Sequence, residues 1–254
     1  MHERVESMRV TVVGASGEFG SVLSEILQRR GAQVTRAHRA TGVDAVTGSG
    51  LAQACEGADV VVDATSLLSR SADESVRFFG AVARNISIAA EAAGAAVVFL
   101  SIYGASDPVV NRKMGHYRGK AEQETVYAET LGGTATAVLS TQWYSLAQKF
   151  LSMLTFGPIG AAPRMLSRPA AVEDVAEVFA DVVLDTARPA RVTVAGPAVM
   201  DLADAAKAIA AQKGSPRFVF GVNYGGPGLR SGGLVPDHPD AITETTFDQW
   251  LARR

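Results

Sequence analysis

Short apolar, β-branched runs alternate with amphipathic stretches between residues 8 and 185, and this alternation restricts the fold more than any other feature. The run from Met8 to Val13 is typical of a buried strand, and apolar residues then recur at helical spacing from Phe19 to Leu27. Strands that alternate with helices predict a parallel sheet covered on both faces, a doubly wound α/β Rossmann fold. We expect strands at 8–13, 32–37, 59–63, 96–101 and 134–139, and further helices at 49–56, 71–93, 116–131 and 173–185.

The pattern becomes less regular after residue 140. Segments 156–163 and 224–228 are rich in Gly and Pro and are expected to be loops. Thr246 and Gln249 have the spacing of a capping box at the start of a last helix, which includes Trp250. We expect residues 1–254 to form a single domain, in which 141–171 and 190–254 make a small substrate-binding lobe over the open edge of the sheet. Within that lobe we expect strands at 191–194 and 217–220 and a helix at 202–212.

Charge and cysteine content exclude several classes of function. The 24 Lys and Arg residues nearly balance 26 Asp and Glu, so the net charge of -2 gives no general attraction to nucleic acid or to an anionic membrane. Cys55 is the single cysteine, which excludes an intramolecular disulfide, a cysteine-based zinc site and an iron–sulfur cluster. No metal site is predicted. The apolar runs are too short for a membrane span and the N-terminus lacks a signal peptide pattern, so we expect a cytoplasmic protein with a buried thiol.

A glycine-rich loop joins the first strand to the first helix. In such a unit the backbone can approach a pyrophosphate closely, and the free N–H groups of the helix N-terminus point at it. A plain turn between strand and helix is the alternative, but the strand before, the helix after and the position in the first unit all favour a dinucleotide site. The predicted binding loop consists of Gly14, Ala15, Ser16, Gly17, Glu18, Phe19 and Gly20.

The end of the second strand indicates which nicotinamide cofactor is preferred. An acidic residue there usually holds a ribose 2′-hydroxyl, whereas arginine holds a 2′-phosphate. The chain has Arg39 at this place and no carboxylate before Asp44, which favours NADP(H). Arg36 and His38 are possible helpers. The alternative is that Arg39 is a solvated loop residue.

These features together resemble the NmrA-like, NAD(P)H-binding group of atypical short-chain dehydrogenases/reductases. The resemblance covers nearly the whole chain in the right order, although most of its motifs are loose individually. It is carried by Gly14, Gly17 and Gly20, Arg39, residues 42–44, 58–65 and 99–101, Tyr117 with Lys120, residues 172–176 and residues 246–251.

The resemblance implies a Rossmann domain with a small substrate lobe and a cofactor across the C-terminal strand ends. It places Asp44 near the adenine, Ala64 and Thr65 along the adenosine and ribose, and Ser101 near the nicotinamide. Asp44 could instead simply cap a turn. Relatives of this kind act on a small-molecule substrate as monomers or homodimers.

The catalytic segment departs from the pattern of the superfamily. Its redox members carry a tyrosine four residues before a lysine, and the lysine holds the nicotinamide ribose and lowers the pKa of the tyrosine. Here His116 stands four residues before Lys120, and Tyr117 is offset by one position, which turns a side chain by about 100° on a helix. Tyr117 could still reach the site, or His116 could donate the proton. Otherwise the pair is lost and Lys120 only anchors the cofactor.

Several residues outside this segment have a weaker signal. Ser140 stands where relatives often place an arginine. Residues 142–144, Met153, Phe156 and Met165 could line an apolar substrate pocket, although packing is the simpler interpretation. Glu122 and Glu124 are most simply solvated helix charges, and residues 225–228 are expected to be a flexible covering loop.

Three functions follow from these patterns. The first is an NADP(H)-dependent oxidoreductase that reduces a carbonyl or an activated double bond of a small, mostly apolar molecule. The second is a regulator that senses NADP(H) without turnover, which His116 at the tyrosine position favours. The third is a non-redox biosynthetic enzyme that keeps the cofactor as a scaffold and uses His116 or Tyr117 for acid–base chemistry.

Overall fold

A parallel sheet of seven strands forms the centre of the computed structural model, which describes residues 7–69 and 71–254. Its strand order is β12-β9-β5-β4-β3-β1-β2. The strands along the chain are β1 (Arg9–Val13), β2 (Gln33–Ala37), β3 (Val60–Asp63), β4 (Ala96–Ile102), β5 (Thr136–Ser140), β6 (Thr155–Phe156), β7 (Ile159–Pro163), β8 (Leu166–Ser167), β9 (Arg191–Ala195), β10 (Met200–Asp201), β11 (Phe218–Val222) and β12 (Ala241–Ile242).

Helices cover both faces of this sheet, which confirms the doubly wound α/β fold. Phe19 of α1 and Phe179 of α7 pack against one face, and Val82 of α3 and Val126 of α5 against the other. The inner strands β1, β3, β4 and β5 are therefore buried on both sides, as their apolar runs predict, whereas the edge strand β2 is partly exposed. The helices are α1 (Glu18–Arg29), α2 (Leu51–Cys55), α3 (Ala72–Ala93), α4 (Pro108–Asn111), α5 (Gly115–Leu131), α6 (Tyr144–Met153), α7 (Val172–Leu184), α8 (Leu202–Lys213) and α9 (Phe247–Ala252).

The chain reverses its direction of travel across the sheet at β1. Val10 of β1 pairs with Val34 of β2 on one side and with Val60 of β3 on the other. Connections from β1 and β3 therefore leave in opposite directions and open a crevice at their carboxyl ends, where open α/β sheets usually bind ligands.

The C-terminal segments contain more sheet than the sequence predicts. Residues 156–163 were expected to be a loop, and this prediction is wrong: Gly157 and Pro158 form a tight turn between β6 and β7, with Gly157 at a φ of +55°. Strand β11, whose residues alternate between exposed and half-buried, pairs with β7 in parallel. Two further segments in the range expected for the lobe, β9 and β12, extend the central sheet next to β5.

A third apolar core lies between α6, α8, α9 and the small strands. Tyr144 packs against Trp250 and Phe247, with ring centroids 5.6 and 5.4 Å away. The capping box at Thr246 and Gln249 is present, as the spacing predicts. Among the helices of the described residues, none has both the length and the apolarity needed to cross a bilayer.

Candidate functional site

The glycine loop lies at the crevice beside β1, and close contacts there leave no room for side chains. Gly14 has a φ of +86°, and a Cβ on it would lie 2.9 Å from the carbonyl carbon and oxygen of Ala64. A Cβ on Gly20 would lie 2.3 Å from the carbonyl oxygen of Gly14. Gly17 is the N-cap of α1 and supplies no side-chain hydrogen bond. The first N–H groups of α1 are therefore available to an anion, as a pyrophosphate site requires.

Two residues of the α6 region, Lys149 and Trp143, contact this loop, and no sequence pattern indicated that Lys149 lies there. Glu18 forms an ion pair with Lys149 of α6, whose Nζ is 2.5 Å from the Glu18 carboxylate. The ring of Phe19 stacks on Trp143 at a centroid distance of 5.7 Å. The start of α6 therefore lies against the loop and brings a lysine to it. Lys149 lies 131 residues from Glu18, so nothing in the local sequence signals this pair.

The residues predicted to select the cofactor lie directly after β2. Arg39 is exposed at the start of a 3₁₀ helix, Arg39–Thr41. In the described part of the chain no side chain or carbonyl accepts a hydrogen bond from its guanidinium. Asp44 accepts hydrogen bonds from the backbone N–H groups of Val46 and Thr47, at 2.9 and 3.3 Å, so this carboxylate caps a turn. The exposed guanidinium of Arg39 is thus free to meet a ligand at this edge.

Ala64 and Thr65 follow β3 and face the glycine loop. Both the backbone N–H and the hydroxyl of Thr65 donate to Asp63, at 2.9 and 2.6 Å. These two hydrogen bonds hold Thr65 in place next to Ala64 and Gly14. The Thr65 hydroxyl proton is consequently committed to Asp63 and is not free to bind a ribose.

Lys120 is buried beside Thr65 and is nearly inaccessible to solvent. Its ammonium donates to the carbonyl oxygens of Leu100 at 2.8 Å and Thr65 at 3.3 Å, and to the side-chain oxygen of Gln123 at 3.0 Å. The ring of Phe79 lies 4.5 Å from the same nitrogen. Burial lowers the pKa of Lys120 from 10.5 to about 8, although the nearby Asp63 carboxylate favours the charged form.

Asp63 is the centre of a buried network that the sequence did not reveal. Its second carboxylate oxygen accepts hydrogen bonds from Gln123 at 2.6 Å and from the Tyr127 hydroxyl at 2.9 Å. Burial is the main cause that raises the pKa of Tyr127 well above its usual value, with the Asp63 carboxylate adding to it. Gln123 and Tyr127 lie three and seven positions after Lys120, a spacing that was the available signal for one helical face.

His116 and Tyr117 point to different sides of α5. The Nδ1 atom of His116 lies 3.1 Å from the carbonyl oxygen of Leu67, and its ring packs edge-on against Phe79. Since a carbonyl can only accept, this Nδ1 carries the proton in the neutral ring. Burial first, and then the charge of Lys120, lowers the pKa of His116 to about 4. His116 is therefore neutral near pH 7 and is a poor proton donor there.

Tyr117 instead faces the segment after β5. Its buried hydroxyl accepts a hydrogen bond from the side-chain amide of Gln142 at 2.7 Å, and Gln142 in turn contacts the hydroxyl of Ser167. Burial raises the pKa of Tyr117 above its usual value of 10, and the hydrogen bond from Gln142 lowers it less. The phenol therefore stays protonated, and its own O–H remains available to an acceptor.

Ser101 is bonded to Glu124 rather than to Tyr117. Its hydroxyl donates to the Glu124 carboxylate at 2.5 Å, which also accepts from Ser106 at 2.8 Å and lies 3.4 Å from the guanidinium of Arg191. The interpretation of Glu124 as a solvated helix charge is wrong, since its side chain is only 11% exposed. The contacts of Ser101 and Ser106 at the end of β4 explain why this carboxylate turns inward.

The residues considered for an apolar substrate pocket do not lie together. Tyr144 and Met165 are buried in the third core, whereas Met153 and Phe156 are exposed. Gln142 and Trp143 alone of this set lie next to the candidate site, beside Tyr117 and Phe19. In residues 7–69 and 71–254 no group of His, Cys, Asp and Glu has the arrangement of a metal site.

Comparisons with known proteins identify the fold and nothing finer. No family model and no curated protein matches the sequence. An NADPH-dependent quinone oxidoreductase of Escherichia coli, solved with NADPH, is similar in structure with a TM-score of 0.65, 17% identity and coverage of 96% of this chain and 99% of that one. A UDP-N-acetylglucosamine 4-epimerase of Bacillus cereus is similar with a TM-score of 0.67 and 14% sequence identity, and the match covers 97% of each chain. A dTDP-4-dehydrorhamnose reductase of Bacillus anthracis, solved with NADP, has a TM-score of 0.67 and 13% sequence identity. The match covers 99% of this chain and 98% of that one.

Proposed function

We propose that this chain binds NADP(H) and reduces a carbonyl or an activated double bond of a small, mostly apolar molecule, as an atypical, NmrA-like short-chain reductase. One observation carries the proposal: the glycine loop, packed against Ala64 and preceding an uncapped helix N-terminus, lies where β2 and β3 diverge from β1. The similar solved structures support it, since those of the quinone oxidoreductase and the rhamnose reductase hold NADPH and NADP.

The residues present fit a dinucleotide phosphate. The amides at the start of α1 would hold the pyrophosphate, with the helix dipole favouring its negative charge. Arg39 would hold the 2′-phosphate through charge-assisted hydrogen bonds. Ala64 and Thr65 would lie along the adenosine side, where Lys120 supports them from below through the Thr65 carbonyl.

When bound, the nicotinamide supplies a hydride to the substrate carbon. The role left to the protein is to deliver the proton, and Tyr117 is the group suited to it. Its hydroxyl accepts from Gln142 and so directs its own proton elsewhere, and its raised pKa keeps it protonated at neutral pH. Transfer of this proton to the substrate oxygen is favourable because a developing alkoxide is a far stronger base than a phenolate.

Titration with NADPH and NADH, followed by cofactor fluorescence, tests cofactor choice. Arg39→Ala is expected to weaken NADPH binding about 10–100-fold, the loss of a hydrogen bond to a charged group, and to leave NADH binding unchanged. Arg84→Ala, which removes an exposed arginine of α3, is the matched control and keeps wild-type affinity for both. Equal losses of NADPH and NADH affinity in Arg39→Ala would contradict the assignment of the 2′-phosphate.

Turnover is tested by following NADPH oxidation with a panel of quinones, aldehydes and ketones. Tyr117→Phe is expected to keep NADPH affinity and to lose the reduction of carbonyls. Tyr224→Phe, at an exposed tyrosine outside the site, is the control.

A sensor without turnover is the second candidate function, and the bonding of the reactive groups favours it. The ammonium of Lys120 has three protein acceptors, and the Ser101 hydroxyl is held by Glu124. Tight NADPH binding without oxidation by any member of the panel, together with a protein partner that distinguishes NADP⁺ from NADPH, would select this function over the reductase.

A further inference from the structure

The small sheet formed by β6, β7 and β11 exposes an apolar face to solvent. Phe156, Ile159 and Phe218 are register partners across its three strands, so their side chains form one row. Phe220 and Val222 continue the row along β11, because residues two positions apart lie on the same face of a strand. These five residues define the outer face. Phe156 is 91% exposed, Phe220 57%, and Phe218 and Ile159 51% each.

The opposite side of the same sheet is already packed. Val219 and Ala162 belong to the third core, between the small sheet and the helices α6 and α8. A Cβ on Gly160 would meet Pro216 and Leu151 within 3.3 Å. The apolar outer face is therefore not a consequence of a poorly folded sheet, since its inner face has a complete set of neighbours.

The area of the outer face matches what a homodimer requires. A phenylalanine presents about 150–250 Å² of surface, so the exposed fractions of the three phenylalanines alone leave roughly 300–500 Å². Ile159 and Val222 add to this area. The largest apolar patch of an ordinary monomer covers about 300–600 Å² and often has a function. Each partner of a standard interface contributes about 800 Å², of which about 65% is apolar in homodimers, so this face supplies nearly the whole apolar share.

We propose that the outer face is the interface of a homodimer, in which the small sheets of two copies pack face to face across a two-fold axis. An apolar row is complementary to itself, because it needs no opposite charge on the partner, and two-fold pairing brings the same patch of each copy together. Two sheets packed in this way interdigitate their side chains at a spacing of about 10 Å. The cations Arg164 and Lys207 lie on the packed side, around Gly221 and α8. Arg217 borders the outer face, with its guanidinium 5.4 Å from the ring of Phe218. Five apolar residues with this cation at their border favour an apolar partner surface over an anionic membrane, which attracts clusters of basic residues.

The mass of the protein in solution tests the interface. Light scattering after size exclusion, at concentrations up to about 100 μM, detects a dimer with a micromolar Kd. The wild-type chain is expected at twice its mass of 26.5 kDa. The double variant Phe156→Lys/Phe220→Lys is expected at 26.5 kDa, with an unchanged circular dichroism spectrum that shows it is folded.

Leu68→Lys/Ile88→Lys is the matched control. It adds the same charge at two apolar residues that are 84% and 66% exposed but lie outside the outer face, and it is expected to stay dimeric. A wild-type monomer over the whole concentration range overturns the proposal. So does a dimer that survives the Phe156→Lys/Phe220→Lys change, or one that only the control variant dissociates. If the wild-type chain is a monomer that sediments with phosphatidylserine vesicles, and Phe156→Lys/Phe220→Lys no longer does so, the outer face is assigned to a membrane instead.

Discussion

Substitution of Gly14 by alanine isolates the cost of the close approach between the glycine loop and β3. Gly14 and Gly31 have almost the same φ, +86° and +90°. A Cβ at Gly14 would lie 2.9 Å from backbone atoms of Ala64, whereas a Cβ at Gly31 would have no neighbour within 4 Å. Gly31→Ala therefore carries only the backbone strain and Gly14→Ala carries strain and overlap.

The magnitudes of the two effects separate the variants. A left-handed backbone costs an alanine about 1–2 kcal/mol. Overpacking against backbone that cannot rotate away adds about 1–3 kcal/mol. Gly31→Ala is thus expected to lower the free energy of unfolding by about 1–2 kcal/mol, and Gly14→Ala by about 2–5 kcal/mol.

Urea unfolding followed by circular dichroism measures both variants against the wild type, with the slope of the transition checked for constancy. NADPH titration of the same samples gives a second measure. Gly14→Ala is expected to weaken binding and Gly31→Ala, at the far end of α1, to leave it unchanged. Equal destabilisation of the two variants would refute the tight contact with Ala64. Unchanged NADPH affinity in Gly14→Ala would argue against a pyrophosphate at this loop.

Two further predictions concern the buried network below the loop. The folded chain releases the Lys120 proton at a pKa of about 8, below the usual 10.5, so stability should rise by about 1.4 kcal/mol per pH unit above pH 8. Urea midpoints at pH 8 to 9.5 check this rise, and in Lys120→Met it should be absent. Tyr127→Phe removes the hydroxyl that donates to Asp63 and should cost about 1.5–3 kcal/mol in the same assay, whereas Tyr224→Phe at an exposed position should cost almost nothing. An equal effect of both tyrosine changes would show that the Tyr127–Asp63 bond adds no stability.

The fold was largely predictable because its signal is local. A valine-rich run such as 59–63 and a helical face such as that of residues 71–93 are each recognisable within one window, and the order of such windows implies the parallel sheet. The hairpin of β6 and β7 was missed for the same reason. Its strands are short, Gly157 and Pro158 dominate the window, and the pairing with β11 joins residues about 60 positions apart.

The candidate site was less predictable because its side chains meet only in three dimensions. The sequence places Gly14, Arg39 and Lys120 in the right elements, but it cannot show that the Lys120 ammonium turns toward Thr65 and Leu100. Nor can it show that a one-position offset sends Tyr117 toward Gln142 and His116 toward Leu67. These directions depend on which elements pack beside α5, and no local pattern contains that information.

The single thiol of Cys55 gives this protein an internal reporter of its own opening. Cys55 ends α2, is fully buried, and burial raises its pKa to about 11. A thiol reagent needs both the thiolate and access to it, so the native form is protected twice. Labelling of the unmodified chain then proceeds only as fast as α2 leaves the sheet, and its dependence on denaturant distinguishes local release of that helix from global unfolding. The protein can therefore be followed without an introduced probe.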